Sequence, residues 1–460
     1  MKHILCADIG TTSLKIGIIS ENGEVVSFYR HGFSEKNDFL ANEWNAAFFE
    51  HGRKLVSAFQ AAGGTIDGIS LSGNGPTLIA QNGRTLLWND DAEENGQNAN
   101  DVLPSGTAAS RDGENGTAGT ITHATACALP NEAKNSLFIP RILAFKKRYA
   151  ADYNASAHLF SNPEFLIHAL TGSVLTILPE ERFAPAYWNE EALRSAGIDS
   201  SKFGSFVPTG HFAGLTTQDA TLALTLARAV PVFCGGPDFV TALIGTGTVV
   251  PGALCDRAGS SEGINFCTQK PFFAPMLRTL PSVIPSLWNV SFIIEKSGIL
   301  MDEYKAQIEA LEQKPLTYEE IVDLCFDDRN SEGWRILCEL CEKIKRGLFA
   351  LRTAAEQNGI AFPDVMTITG GQAKNRMWLT EKALQTGIQI AAPATTDAEL
   401  LGNAAVVLHS LNVYHTLQDA SRAVCGTTRI FPATAANADK KTARPPCTAF
   451  QNDLRQSFLT

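Results

Sequence analysis

The stretch that most limits the fold of this chain is residues 4–26, ILCADIGTTSLKIGIISENGEVV. Residues 4–7 and 15–19 are apolar and strand-like, and Asn22-Gly23 is a turn signal of the kind that closes a hairpin. Between the two runs lie Asp8, Gly10, Thr11, Thr12 and Ser13, a turn that gathers hydroxyls, backbone N–H groups and one carboxylate. A tight Gly turn between antiparallel strands exposes successive N–H groups, which suits phosphate oxygens. The plainer alternative is a hairpin whose Ser and Thr cap their own turn. A similar turn returns in DRAGSSEGINF, where Gly259, Ser260 and Ser261 are again flanked by strand-like residues. The separation of about 250 residues is what two similarly folded halves would give.

The rest of the chain fits an alternating α/β plan. Residues 43–61 read as an amphipathic helix stopped by Gly63-Gly64, and residues 66–71 as a buried strand leading into SGNGPT. Helical blocks follow at 141–149 and 163–170, after a polar stretch at 92–120 that reads as a surface insertion. The best single domain boundary lies near Ala229. Residues 334–351 repeat apolar side chains at helical spacing and carry Cys338 and Cys341. With no second CxxC to complete a zinc site, these thiols are expected in the core.

Composition narrows the function. The 460 residues suffice for several domains, with 44% hydrophobic and 19% charged residues, as in a globular protein. A formal net charge of -10 argues against a nucleic-acid partner, which needs clustered Lys and Arg. No run of about 18 apolar residues predicts a membrane span. Asp8 interrupts the first apolar run, so the N-terminus is not expected to be a secretory signal. Ten cysteines without regular spacing suit a reducing cytoplasm.

Two further stretches carry chemistry. In GGPD, residues 235–238, the glycines permit a sharp turn after the strand at 230–234, and Asp238 opens a helix at 239–244. Asp238 reads either as a helix cap or as a general base that accepts a proton from a substrate hydroxyl. In VMTITGGQAKNRMW, a β-branched strand reaches Gly370-Gly371, where a missing Cβ would let the chain pass close to a flat ring. Gln372 and Asn375 are candidate donors to such a ligand. The helix at 399–411, ELLGNAAVVLHSL, is rich in small residues and is expected to pack behind that site. GxxxxGK[ST] is absent, and Gly245, Gly247 and Val250 fail GxGxxG at its third glycine.

DIGTTSLK, GGPDFVTALIGTG, GSSEGINF and TGGQAKNRMW, in that order, resemble the FGGY family of carbohydrate kinases. The resemblance implies an α/β fold of two ribonuclease H-like (actin/hexokinase-type) domains with an interdomain cleft. Residues 1–229 would be the sugar-binding domain and 230–460 the ATP-binding domain. It implies ATP and Mg²⁺, with Asp8, Gly10, Thr11, Thr12, Ser13 and Lys15 at the first phosphate turn and Gly259, Ser260 and Ser261 at the second. Gly370, Gly371, Gln372 and Asn375 would hold adenosine. Asp238 would be the catalytic base, sharing the metal's neighbourhood with Asp8. Asn74, Trp88, Asn89 and Asp90 would lie with Asp238 at the sugar.

The departures fall mostly in the sugar half. Xylulokinase-like members tend to have Met-His where this chain has Gly73-Asn74. Their Pro-Lys and Trp helix motif reads here Pro140-Arg141 with Ala144, and TILPEERFAP, residues 176–185, replaces an Asp-x-Ser pattern. Ser260 replaces the usual Thr, and Gln372 a frequent Gly. The resemblance therefore implies an ATP-dependent kinase of a ketose, polyol or related sugar, cytoplasmic, with no nucleic-acid or membrane partner and a homodimer left open. The alternatives are a non-catalytic sugar- or nucleotide-sensing protein on the same scaffold and an actin- or chaperone-like ATPase.

Overall fold

The structure, a computed structural model, describes residues 1–33, 37–90, 136–259, 262–295, 297–426 and 428–433. The stretch at 92–120, Ser260 and Ser261 lie outside the described residues. The chain forms two compact units. The first comprises Met1–Gly245, Leu280–Pro285 and Glu399–Val424; the second comprises Thr246–Thr279, Ser286–Ala398 and the chain from Cys425 on.

The first unit begins with the meander read from the sequence: β1 (His3–Ile9), β2 (Ser13–Ser20) and β3 (Val25–Gly32), antiparallel throughout. Gly23 makes the second turn possible, with φ +79° and its N–H bonded to the Ser20 carbonyl at 2.9 Å. Helix α1 (Leu40–Ala61) buries Leu40, Trp44, Ala47 and Phe48 at helical spacing, then crosses to β4 (Gly68–Gly73), parallel to β1. Next come α2 (Ile139–Arg148), α3 (Asn162–Thr171), β5 (Phe212–Leu215), β6 (Pro231–Pro237) and α4 (Asp238–Gly245). The strand order is β5-β6-β4-β1-β2-β3. Strand β6 lies beyond Ala229 and still belongs to the first unit's sheet, parallel to β4. Both faces of β1 are buried, from Ile4 through Ile9, as a parallel pair covered on both sides requires.

The second unit repeats this plan. Strands β7 (Leu254–Ala258), β8 (Glu262–Thr268) and β9 (Trp288–Ile294) form an antiparallel meander. Helix α5 (Glu332–Gln357) covers it and leads to β10 (Val365–Gly370), parallel to β7. After α6 (Arg376–Thr386), β11 (Gln389–Pro393) runs parallel to β10. Helix α7 (Ala398–Ser410) follows, and β12 (Thr428–Phe431) closes the edge, antiparallel to β11. Two antiparallel steps, two parallel steps and an antiparallel edge therefore occur in the same spatial order in each unit. Cys341 on α5 is buried in the core, as expected, and burial pushes its thiol up.

Helix α7 packs closely on α4. From Glu399 on it belongs to the first unit. A Cβ on Gly402 would stand 1.9 Å from the Thr241 carbonyl oxygen, so only glycine lets α7 lie this close to α4.

Candidate active site

Asp8 sits near the end of β1, beside Lys15 on β2 and Ser72 on β4 in the ladder. The carboxylate is buried, and Ser72 Oγ donates to its Oδ1 at 2.8 Å. Lys15 Nζ lies 3.8 Å from Asp8 Oδ2 and donates to Glu399 Oε2 at 3.1 Å. Burial, then the Glu399 charge, pushes Asp8 up to about 7; Asp238 pushes the same way, while Lys15 and Ser72 oppose. Three carboxylates therefore share a field with one ammonium. Among the described residues no three His, Cys, Asp or Glu side chains form a ligand group. Mg²⁺ needs no such group, because it keeps much of its water and takes one or two carboxylates.

Asp238 is the first residue of α4 and is half-buried, with its carbonyl accepting from Thr241 Oγ1 at 3.0 Å. The glycines before it make a bulge in the β6 ladder instead of a sharp turn. Cys234 pairs with Leu71 and Gly236 with Ser72, so Gly235 is skipped. A Cβ on Gly235 would come within 2.2 Å of Asn403 Oδ1 and 2.3 Å of the Leu71 carbonyl, and Gly236 takes φ +133°. Asn403 is the reason for that pinch. Fully buried on α7, it donates to the Ala7 carbonyl at 3.1 Å and to Ser72 Oγ at 2.8 Å, and accepts from Ser70 Oγ at 3.0 Å.

The first hydroxyl turn spends much of its hydrogen-bonding capacity on itself. Gly10 N–H donates to the Ser13 carbonyl at 2.9 Å, and Ser13 Oγ accepts from Arg30 Nε at 2.9 Å. Thr11 Oγ1 accepts from Asn74 Nδ2 at 3.3 Å and from Trp88 Nε1 at 3.2 Å. With both lone pairs taken, the Thr11 hydroxyl has only its proton to offer. Thr12 is exposed and has no side-chain partner among the described residues.

These bonds bring the expected sugar loops to the turn. Asn74 is buried, and its Oδ1 accepts from Thr77 Oγ1 at 3.1 Å and from Asn162 Nδ2 at 2.7 Å. Gly73 and Asn162 are matched: a Cβ on residue 73 would stand 2.8 Å from the Asn162 Cβ. The loop carrying Trp88, Asn89 and Asp90 is held by Arg141, whose guanidinium donates to the Leu87 carbonyl at 3.2 Å, the Asp90 carbonyl at 2.5 Å and the Trp88 carbonyl. Asp90 Oδ2 accepts from the Leu87 N–H at 2.8 Å, and Asn89 is exposed. The TILPEERFAP segment also reaches this region, with Phe183 packing on Phe239 of α4 at 6.2 Å between centroids.

In the second unit, Gly370 has φ +90° and its missing Cβ leaves room for the Ala258 carbonyl, which would otherwise be 2.2 Å away. Gly371 is exposed with open space where a Cβ would stand. Gly259, after β7, is exposed. The two polar residues beyond the glycines have partners within the unit. Gln372 Nε2 donates to Glu262 Oε2 at 2.8 Å, and its Oε1 accepts from Trp378 Nε1 at 2.9 Å. Asn375 caps α6, its Oδ1 accepting from the Trp378 N–H at 2.9 Å.

The chain matches no protein-family model. It is 21% identical over 268 residues to a xylulose kinase of Staphylococcus xylosus, a match covering 54% of this chain and 51% of that one. The chain thus aligns with about half the length of the curated relatives it matches. Solved structures match almost end to end. A ligand-bound xylulose kinase from Lactobacillus acidophilus is 14% identical with a TM-score of 0.67, over 94% of each chain. The glycerol kinase of Plasmodium falciparum with ADP is 14% identical with a TM-score of 0.69, over 96% of this chain and 95% of that one. The chain has the fold of the FGGY-type carbohydrate kinases. The resemblance seen in the four motifs holds for the whole architecture. No helix among the described residues is long and apolar enough to cross a membrane.

Sequence reasoning missed Glu399, Asn403, Ser72 and Asn162, and saw Arg141 only as a departure from the Pro-Lys motif. Two of them had a visible signal. Glu399 and Asn403 stand four residues apart on a helix otherwise made of small and apolar side chains, which puts both on one face.

Proposed function

We propose that the protein is an ATP-dependent carbohydrate kinase acting on a hydroxyl of a small ketose, polyol or related sugar. The observation that carries this reading is the charge cluster of the first unit. Asp238, at the start of α4, adds to the field that pushes the buried Asp8 up to about 7, with Lys15 as the local counter-charge. In this reading Asp238 takes the proton of the acceptor hydroxyl. The freed oxygen forms a bond to the γ-phosphorus, and the bond from that phosphorus to the departing ADP oxygen breaks.

Asp8 and Asp238 would hold Mg²⁺ through water. The ion would supply positive charge to the transferring phosphoryl group. Lys15 keeps the Asp8 carboxylate oriented, and Thr11 offers a fixed proton to an acceptor oxygen of the substrate. In the second unit, the open space at Gly371 suits the face of an adenine ring. A small ketose or polyol substrate is favoured by the names of similar proteins, xylulose kinase and glycerol kinase. Burial of Asn74 under Asn162 supports a sugar contact of this chain's own. The described cysteines are all free, which suits a cytoplasmic setting.

The test is ADP production across a panel of pentuloses, hexuloses, polyols and sugar acids. At least one sugar should give sugar-dependent ADP release, and Asp238→Ala should abolish it while ATP still binds. Turnover close to wild type in Asp238→Ala removes the role given to that carboxylate. Binding of sugar and ATP without ADP release would instead favour a sensing protein.

A further inference from the structure

The second unit contains a buried polar chain that phosphoryl transfer itself does not use. Lys382, on α6, is fully buried, and its Nζ donates to Asp256 Oδ2 on β7 at 2.7 Å and to Glu262 Oε1 on β8 at 2.8 Å. Glu262 is the first residue of β8, and its other oxygen takes the Gln372 amide, which in turn accepts from the Trp378 indole. One continuous chain, Asp256–Lys382–Glu262–Gln372–Trp378, therefore ties β7, β8 and α6 to the residues just past Gly370-Gly371.

Burying two carboxylates with a single ammonium is costly unless the charge balances. Among the described residues Asp256 Oδ1 has no hydrogen-bond partner. Burial, then the neighbouring Glu262 charge, raises Asp256 well above the ordinary carboxylate range. Burial would raise Glu262 as well, but Lys382 holds it below its ordinary value. A proton on Asp256 leaves one ammonium against one carboxylate, and the cluster is neutral. Glu262 then has a fixed charge and a fixed direction for Gln372. This makes use of a departure from the resembling kinases: where they often have glycine, residue 372 here is a strut.

We propose that Gln372 is a positioning residue for the nucleotide, holding the Gly370–Gln372 segment through Glu262 and Lys382, and that the Trp378 indole reports occupancy of that segment. The inference rests on the reading of Gly370-Gly371 as the adenosine site. Both ends of the Gln372 amide are already bonded within the unit, and its effect on nucleotide comes through backbone placement. Because the amide acts on the nucleotide only through the backbone, its loss is expected to change affinity by roughly tenfold.

The test uses the full chain as wild type, Gln372→Met and Trp378→Phe. ADP binding is measured by calorimetry and by intrinsic fluorescence, and KM is measured for ATP and for the best sugar of the panel. Gln372→Met should weaken ADP binding and raise the KM for ATP about tenfold, leaving the KM for sugar unchanged. Trp378→Phe keeps a ring in the core and frees Gln372 Oε1. It should abolish the fluorescence change on ADP addition while calorimetry still detects binding. A purely structural role would move both KM values together and lower the unfolding midpoint. That result, or unchanged ADP affinity in Gln372→Met, overturns the inference alone. Failure of the wild type to bind ADP overturns the nucleotide reading and the inference with it.

Discussion

Glu164 gives the most quantitative check on the first unit. It lies in the first turn of α3, buried, with Oε1 accepting from the Ile177 N–H at 2.8 Å and Oε2 accepting from Ser161 Oγ. Burial raises it from 4.5 to about 7, against the lowering effect of the backbone bonds. In the unfolded chain the carboxyl loses its proton near 4.5, but in the folded protein only near 7. Between those values the folded state binds more protons, so stability is highest in acid and falls as pH rises through the window. The difference, about 2.5 pH units at about 1.4 kcal/mol each, is about 3 kcal/mol at pH 8. Glu164→Gln keeps an acceptor for Ile177 and turns the other contact into an N–H donating to Ser161, but it cannot titrate. Urea unfolding of the first unit at pH 4.5 and pH 8 isolates the effect, because Asp8 is shared by both proteins and cancels. With a slope of about 3 kcal/mol per M, the variant's midpoint should gain about 1 M on the wild type between the two pH values. A midpoint difference that stays flat across the range would refute the reasoning.

Two further substitutions probe the same unit. Asn403→Leu removes three buried hydrogen bonds; thermal unfolding should record a loss of about 2–4 kcal/mol, and a loss below about 1 kcal/mol would contradict its role as the link from α7 to β1 and β4. Asn162→Ala releases Asn74 and should raise the KM for the best sugar about tenfold, the size of one lost buried hydrogen bond, with the KM for ATP unchanged; equal shifts in both would assign Asn162 to folding alone.

The parts of this fold visible in the sequence were those set by local physics. The β1–β2 hairpin, its Asn22-Gly23 continuation and the stop of α1 near Gly63 depend on strand alternation, helical spacing and turn residues a few positions apart. What stayed hidden needed partners far away in the chain. Helix α7 is readable as a helix of small residues, but its seat depends on Gly402 meeting Thr241 and Asn403 reaching Ala7. Gln372 and Asn375 also have roles within the unit that the sequence did not show. Polar side chains beside two glycines resemble ligand donors, and only the position of Trp378 reveals a strut and a helix cap. The cap had a local signal, an Asn immediately before a helix.

The repeat marks where such reading must stop. In the first unit Asp8 pairs with Ser72 and Ile9 with Gly73. In the second unit Arg257 pairs with Thr369 and Ala258 with Gly370. Glycine ends the parallel strand in both, and a meander turn follows both first strands. The register is therefore the same, and Arg257 stands where Asp8 does. An acid at that position gathers cations and accepts protons; a base at the same position favours anions. Strand order and turn glycines copy from one half to the other because they are required by backbone sterics and hydrogen bonding, which any side chain compatible with the pleat satisfies. Charge is under no such constraint. Internal repetition could therefore predict two sheets of one design, while the division of chemistry between them had to be read from the individual side chains.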